Sequence, residues 1–389
     1  MKIAAVIAEC NPLHNNHARL LSVVRSLGFD AIVVILGSNF VQRGDVAVFD
    51  KWARCRALLA CGADLVIEMP VCSTLVSAPD FARNGVYLAD ALGAVDTLVF
   101  GSECGDLSAL QKAAERFESE EGALAIRKEL ALGKAYPRAV SEGLSGLLAK
   151  EGITETNLFS PNNILGMEYL RSGKKMGTQL QFQTISRFPC KEGESGATQL
   201  RLRMKNGEQN VLKKACPAAA AEIFETSPRF EKERGEMAVL SALRRVNSRE
   251  LLSFCGGRDG LENAIAHAAL QADSLEDLYM QVKSKRYAHA RIRRIIFSVF
   301  LGLDRQLTES LPPYLRVLGM NSRGKEVLRM ANPKIPLSVS LKKLEKTGLL
   351  AKRFATAEAN ATELARFFAD RPLPAGREYT MPVIITEQK

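Results

Sequence analysis

The first hundred residues alternate apolar runs of strand length with amphipathic stretches of helical length, and this order constrains the fold more than any other feature. Lys2–Ala8 (KIAAVIA) is apolar without alternation, as a strand covered on both faces requires. His17–Leu27 reads as a helix and Ala31–Leu36 (AIVVIL) as a second buried strand. Lys51–Cys61 follows as a helix with Asp50 at its N-cap. Asp64–Met69 is a third strand and Pro79–Leu92 a third helix. Asp96–Phe100 is a fourth strand, ending in Gly101-Ser102-Glu103. A β-α-β-α-β-α-β order predicts an α/β fold, a doubly wound parallel sheet with right-handed crossovers.

The rest of the chain has a different texture. Residues 106–150 read as helical, and Ser160-Pro161 starts a helix that stops near Gly173. Gln179–Ser186 alternates like a strand, and Thr198–Met204 begins another helix. Beyond residue 208 the pattern is helical nearly throughout, with weak breaks at Gly256-Gly257 and Pro312-Pro313. The expected division is a catalytic domain over 1–207 and a mostly α-helical domain over 208–389.

Composition removes several classes. With 47% hydrophobic and 25% charged residues, the chain is neither disordered, collagenous nor a coiled-coil rod. No apolar run reaches the roughly 18–20 residues that span a bilayer. Glu9 interrupts the apolar start where a secretory cleavage site would form, so a cytoplasmic protein is expected. The 8 Cys contain no CxxC pair, which argues against a zinc knuckle or a disulfide scaffold. The net charge of +10 is uneven. Residues 1–110 hold 8 Lys/Arg against 11 Asp/Glu, and the remainder holds 45 against 32. That basic excess points to a polyanionic partner.

In doubly wound sheets ligands bind at the carboxyl ends of the strands. The first such loop, Glu9–His17, carries His14 and His17 at the mouth of the next helix. A helix N-terminus with two imidazoles can hold phosphate and stabilise charge that develops during nucleotidyl transfer. No Cys or acidic partner stands at ligand spacing, so no metal site is expected there. The loop after the second strand, Ser38–Asp50, is long for such a connection and carries Gln42-Arg43-Gly44-Asp45, followed by Lys51 and Trp52. It can close over a small substrate or merely start a helix.

The segments ECNPLHNNH, SNFVQRGDVAVFDKWAR, DLVIEMP, FGSE, SPNNILGMEYL and SKRYAHARIRR stand in the order found in one family. The chain resembles the bacterial tRNA(Met) cytidine acetate ligases, members of the nucleotidyltransferase superfamily with an HxGH signature. The resemblance runs from residue 1 to about 330. It implies an HxGH nucleotidyltransferase-like Rossmann domain. It also implies activation of acetate by ATP, with Mg2+, and acetylation of N4 of the wobble cytidine of elongator tRNA(Met). The expected catalytic residues are His14 and His17, which the resemblance places on the phosphates, and Arg43 and Lys51 from the long loop after the second strand. The implied ATP loop is Ile7, Ala8, Glu9, Cys10, Asn11, Pro12, Leu13, His14, Asn15, Asn16, His17, Ala18, Arg19 and Leu20. Gly101, Asn162, Asn163, Arg187, Thr198 and Arg201 are implied to complete it. Asn16 stands where the family has a glycine, so it is expected to adopt a positive φ at a cost of about 1 kcal/mol.

The stretch Lys283–Arg294 carries six Lys/Arg and no acid. Read as a helix, it buries Ile292, Ile295, Ile296 and Val299 and presents its cations elsewhere. Lys285, Arg286, Tyr287, Arg291, Arg293 and Arg294 are therefore expected to meet tRNA. Arg323–Arg353, with nine basic and two acidic residues, adds a second basic region. No membrane partner is expected. A small-molecule adenylyltransferase and an RNA-binding protein with a weakened active site remain as alternative readings.

Overall fold

The computed structural model describes residues 1–134, 136–153, 158–187, 196–257, 260–284 and 287–387. Strands β1 (Ile3–Ala8) and β2 (Ala31–Gly37) pair in parallel, in register from Ile3 opposite Ala31 to Ala8 opposite Leu36. A short hairpin, β3 (Phe40–Val41) with β4 (Asp45–Val46), stands in the long loop that follows. β5 (Leu65–Met69) adds beside β2, β6 (Thr97–Ser102) beside β1, and β7 (Gln181–Ser186) beside β6, all parallel. The expected doubly wound sheet forms, and the order reverses between β1 and β6, the crevice where such sheets take ligands.

The two helices with an expected N-cap residue begin directly after it. Lys51–Ala60 starts with Ala53 N–H donating to Asp50 Oδ1 at 2.7 Å. Ser160 precedes Pro161–Met176 but makes no cap hydrogen bond, and its hydroxyl is buried without a partner among the described residues. That helix runs past Gly173, whose missing side chain admits the Phe182 ring, and closes at Gly177 with φ 62°.

The later chain does not stay apart from the sheet. β8 (Leu315–Met320), β9 (Leu337–Ser338) and β10 (Ile384–Ile385) were not expected after residue 208. β8 lies antiparallel to β5 and carries β9 and β10, so the sheet order is β10-β8-β5-β2-β1-β6-β7 with β9 on β8. Every residue of β8 is buried, because it enters between β5 and the returning C-terminal segment. Two apolar clusters cover the sheet, and a third fills the helical part around Phe297, Phe300, Phe354 and Phe368. That third cluster reaches into the early chain through Phe40, Val46, Val71 and Leu75. A cut at 207 therefore crosses both the sheet and a core. Among the described residues no helix is long and apolar enough to cross a membrane.

Candidate active site

A cleft of about 700 Å³ opens over the carboxyl ends of β1 and β6. Its wall begins with Val6 to Asn11, which leave β1 and turn into the helix Asn15–Ser26. His14 is the N-cap of that helix, 4% exposed, and its Nδ1 accepts from Asn16 N–H at 3.2 Å. His17 reaches back, and its Nδ1 accepts from His14 N–H at 3.2 Å. The two rings lie 4.0 Å apart. An Nδ1 that accepts carries no proton, so each neutral imidazole holds its hydrogen on Nε2. Burial drives the His17 pKa well below its usual value, and the neighbouring His14 and Arg187 push the same way. The pair is thus set as two neutral donors at a helix N-terminus, a cradle for anionic oxygens.

Around this cradle stand four guanidinium groups, those of Arg43, Arg187, Arg201 and Arg293. Arg201 Nη1 donates to Asn11 O at 2.7 Å, and Arg201 Nη2 to Thr198 Oγ1 at 3.2 Å. Arg187 Nη1 donates to Glu103 Oε1 at 3.1 Å, and Asn162 Nδ2 to the same oxygen at 2.6 Å. Glu9 sits among the cations and accepts from Gln42 N–H at 2.5 Å through Oε1. Burial raises its carboxyl pKa against the pull of that bond and of Arg54, Arg43 and Arg201. The fully buried Arg54 ties the loops below: its side chain donates to Phe49 O at 3.0 Å and to Glu9 O and Ser38 O at 2.6 Å each. The remaining floor is apolar and aromatic, with Phe81, Phe100, Leu165 and Tyr169.

The cleft gathers most of the expected nucleotide residues: Ile7, Ala8, Glu9, Cys10, Asn11, His14, Asn16, His17, Leu20, Gly101, Asn162, Arg187, Thr198 and Arg201. Arg43 also lines it. Pro12 and Leu13 do not, and Leu13 packs into the core beneath the loop. Asn15, Ala18 and Arg19 line a separate surface depression with Ser22. Asn163 is fully buried and holds the Glu103 loop instead, its Oδ1 accepting from Glu103 N–H at 2.7 Å. Asn16 has ordinary helical backbone rather than the expected positive φ.

Lys51 does not reach the cleft. Its ammonium is fully buried and paired with Glu68, Glu378 and, at 2.7 Å, Glu358. Those carboxylates are the one trio among the described residues close enough to share an ion, and the lysine takes that place.

The expected basic helix is also redrawn. The helix starts only at His289 and spans His289–Leu301. Arg293 turns inward, where Nε donates to Gly44 O at 3.0 Å and Nη2 pairs with Asp45. Arg291 Nη2 donates to Cys255 O at 3.0 Å, and Arg294 and Tyr287 are half-buried. Lys285 and Arg286 lie outside the described residues.

Sequence reading missed Glu103, Leu165 and Tyr169 as cleft residues and placed Arg293 on another surface, while Gln42 and Asp45 lie here on the loop expected to close over a substrate. A helical-face count from Asn162 would have found Leu165 and Tyr169, which follow it on one stripe of Pro161–Met176.

A family model described as HIGH Nucleotidyl Transferase matches residues 1–375. A tRNA(Met) cytidine acetate ligase of Thermoanaerobacter sp. (strain X514) is 34% identical, covering 99% of this chain and 100% of the relative. The Acetivibrio thermocellus protein of the same name is 32% identical, again covering 99% and 100%. The crystal structure of Thermotoga maritima TmcAL bound with alpha-thio ATP superposes over 100% of both chains, with a TM-score of 0.90 and 30% identity.

Proposed function

The chain belongs to the HIGH nucleotidyl transferase family, and from that premise we propose how its cleft serves an ATP-dependent tRNA(Met) cytidine acetate ligase. ATP enters as its Mg2+ complex, a substrate whose metal rides on phosphate oxygens and water. Its triphosphate lies against the Asn15–Ser26 N-terminus, where the Nε2–H groups of His14 and His17 donate to it. Arg43, Arg187 and Arg201 balance the rest of the charge. The nucleoside extends along Gly101 and Asn162, where the glycine leaves the backbone open to close approach. Acetate attacks the α-phosphorus, pyrophosphate leaves, and acetyl-adenylate stays in the cleft. The wobble cytidine of elongator tRNA(Met) then enters, and its N4 amine takes the acetyl group.

The observation that carries this reading is the tautomer lock. Both Nδ1 atoms are spent on backbone N–H groups, so both imidazoles are donors before any ligand arrives. Such preorganised donors stabilise charge that grows in the transition state. Incubation with ATP, labelled acetate and tRNA, followed by nucleoside analysis, tests the whole reaction. His17→Ala should cut acetate-dependent pyrophosphate exchange by roughly 10²–10³, the usual loss for one such donor. Near-normal exchange in that variant would remove the imidazole pair from the mechanism.

A further inference from the structure

Transfer to cytidine raises a need that the phosphate cradle does not meet. As the N4 amine attacks, its nitrogen gains positive charge and must lose a proton. The exocyclic amine of cytosine is a weak nucleophile, because its lone pair is delocalised into the ring. A base beside it is therefore worth much.

Among the described residues, the titratable groups lining the cleft can be sorted by what already occupies them. His14 and His17 hold their protons on Nε2 and have no Nδ1 to spare, so neither accepts one. Asp45 pairs with Arg293 and also accepts from Val46 N–H at 3.0 Å. Glu103 accepts from Asn162, Asn163 N–H and Arg187. Desolvation raises its pKa, but the hydrogen bonds from Asn162 and Arg187 help outweigh that and make it a poor base. Burial pushes the Cys10 thiol up to about 12 and the Tyr169 hydroxyl well above its usual value, so both stay protonated.

Glu9 is different. Oε1 is fixed by the 2.5 Å bond from Gln42 N–H, and its own carbonyl is pinned by Arg54. It is faced by the guanidiniums of Arg43, Arg54 and Arg201, the Gln42 amide, the Cys10 thiol and the Tyr169 hydroxyl. It stands on the same loop as the imidazole pair, at the open end of β1.

We propose that Glu9 is the general base of the acyl-transfer half-reaction and accepts the proton that the cytidine N4 amine sheds. The C–N bond forms as the acyl–phosphate C–O bond breaks. AMP leaves with the bonding electron pair, and one amine proton passes to the Glu9 carboxylate. This rests on the acetate ligase reading above. Burial raises the pKa of this carboxyl, which makes it a stronger proton acceptor than a solvated carboxylate.

The test separates the two half-reactions. Hydroxylamine traps acetyl-adenylate as acetohydroxamate and needs no protein base. Single-turnover transfer at saturating tRNA reads the second step alone. Glu9→Gln keeps an oxygen to accept the Gln42 N–H, so the loop is retained. Its transfer rate should fall by roughly 10²–10⁴ relative to its hydroxamate rate, the usual contribution of a general base. Transfer by the unaltered protein should rise with pH to a plateau, and the glutamine variant should lose that rise. Glu9→Asp should restore the rise in part. Equal losses in hydroxamate and transfer would make Glu9 an adenylation residue and overturn the proposal. Unchanged transfer would overturn it too. If the unaltered protein formed no hydroxamate, the acetate ligase reading itself would fail.

Discussion

Asn16 takes the second position of the helix Asn15–Ser26, and its φ is not positive. Among the described non-glycine residues only Cys10 and Asn210 have positive φ, so the left-handed turn of this loop falls at Cys10. The Asn16 N–H donates to the capping His14 side chain, a bond that any residue except proline can make. Its side chain accepts from Arg19 Nη1 at 2.8 Å. Asn16→Gly should therefore keep both imidazoles in place and leave ATP affinity unchanged. It should lower stability by about 0.5 kcal/mol, because glycine is a poorer helix former than asparagine and the Arg19 hydrogen bond is lost. Denaturant unfolding and nucleotide titration of the same preparation check both halves. Tighter ATP binding by the glycine variant would mean that the Asn16 side chain obstructs the nucleotide. The His pair itself was legible from spacing alone. Its tautomers were not, because they depend on which backbone N–H groups the first helical turn leaves to be capped.

At the scale of elements, strands covered on both faces were easiest to read. β1, β2, β5 and β6 are short apolar runs whose burial is written in composition. β8 (LRVLGM) was hidden within a helical stretch, since its pairing with β5 is set by distant chain and not by local pattern. The basic stretch misled for a related reason: charge density does not say which way a cation points. Arg293 leaves the helix His289–Leu301 towards the β3–β4 turn, where Gly44 has φ 75°. A Cβ on Gly44 would lie 2.6 Å from the Arg293 carbonyl carbon, so helix and turn meet backbone to backbone. Gly44→Ala combines that clash with a left-handed φ, and a cost of roughly 1–3 kcal/mol is expected from the backbone alone. Because the turn carries Gln42 and Arg43 into the cleft, acetate-dependent pyrophosphate exchange should fall with it. Thermal unfolding beside exchange kinetics decides this. An alanine variant with native exchange would show that the turn does not position the cleft.

Across the whole molecule, the early and late chain share one buried charge network. Lys51 meets Glu68 from β5, Glu358 from the helix Leu349–Ala365 and Glu378 from Arg377–Thr380. Arg316 on β8 binds Glu68 at 3.3 Å and also pairs with Glu378. Ser38 Oγ donates to Glu358 at 2.5 Å, and Arg377 donates to Asp50 at 2.8 Å. The sequence offered Lys51 as a catalytic cation because it follows a polar loop, and nothing near it announces partners three hundred residues away. Removing one member of such a network leaves buried charge uncompensated, which is strongly destabilising. Lys51→Met should therefore lower stability by about 3–5 kcal/mol. Its ATP affinity should be unchanged at temperatures where it stays folded, since Lys51 does not line the cleft. The same network bears on the chain division. A fragment of residues 1–207 keeps the cleft loop but loses β8, Glu358 and Glu378. Its β5 edge would be bare and Lys51 would keep Glu68 alone. That fragment should not fold cooperatively or bind ATP, which near-ultraviolet circular dichroism and nucleotide titration would register. Cooperative unfolding with ATP binding by the fragment would instead make the late strands an accessory to a self-sufficient nucleotide domain.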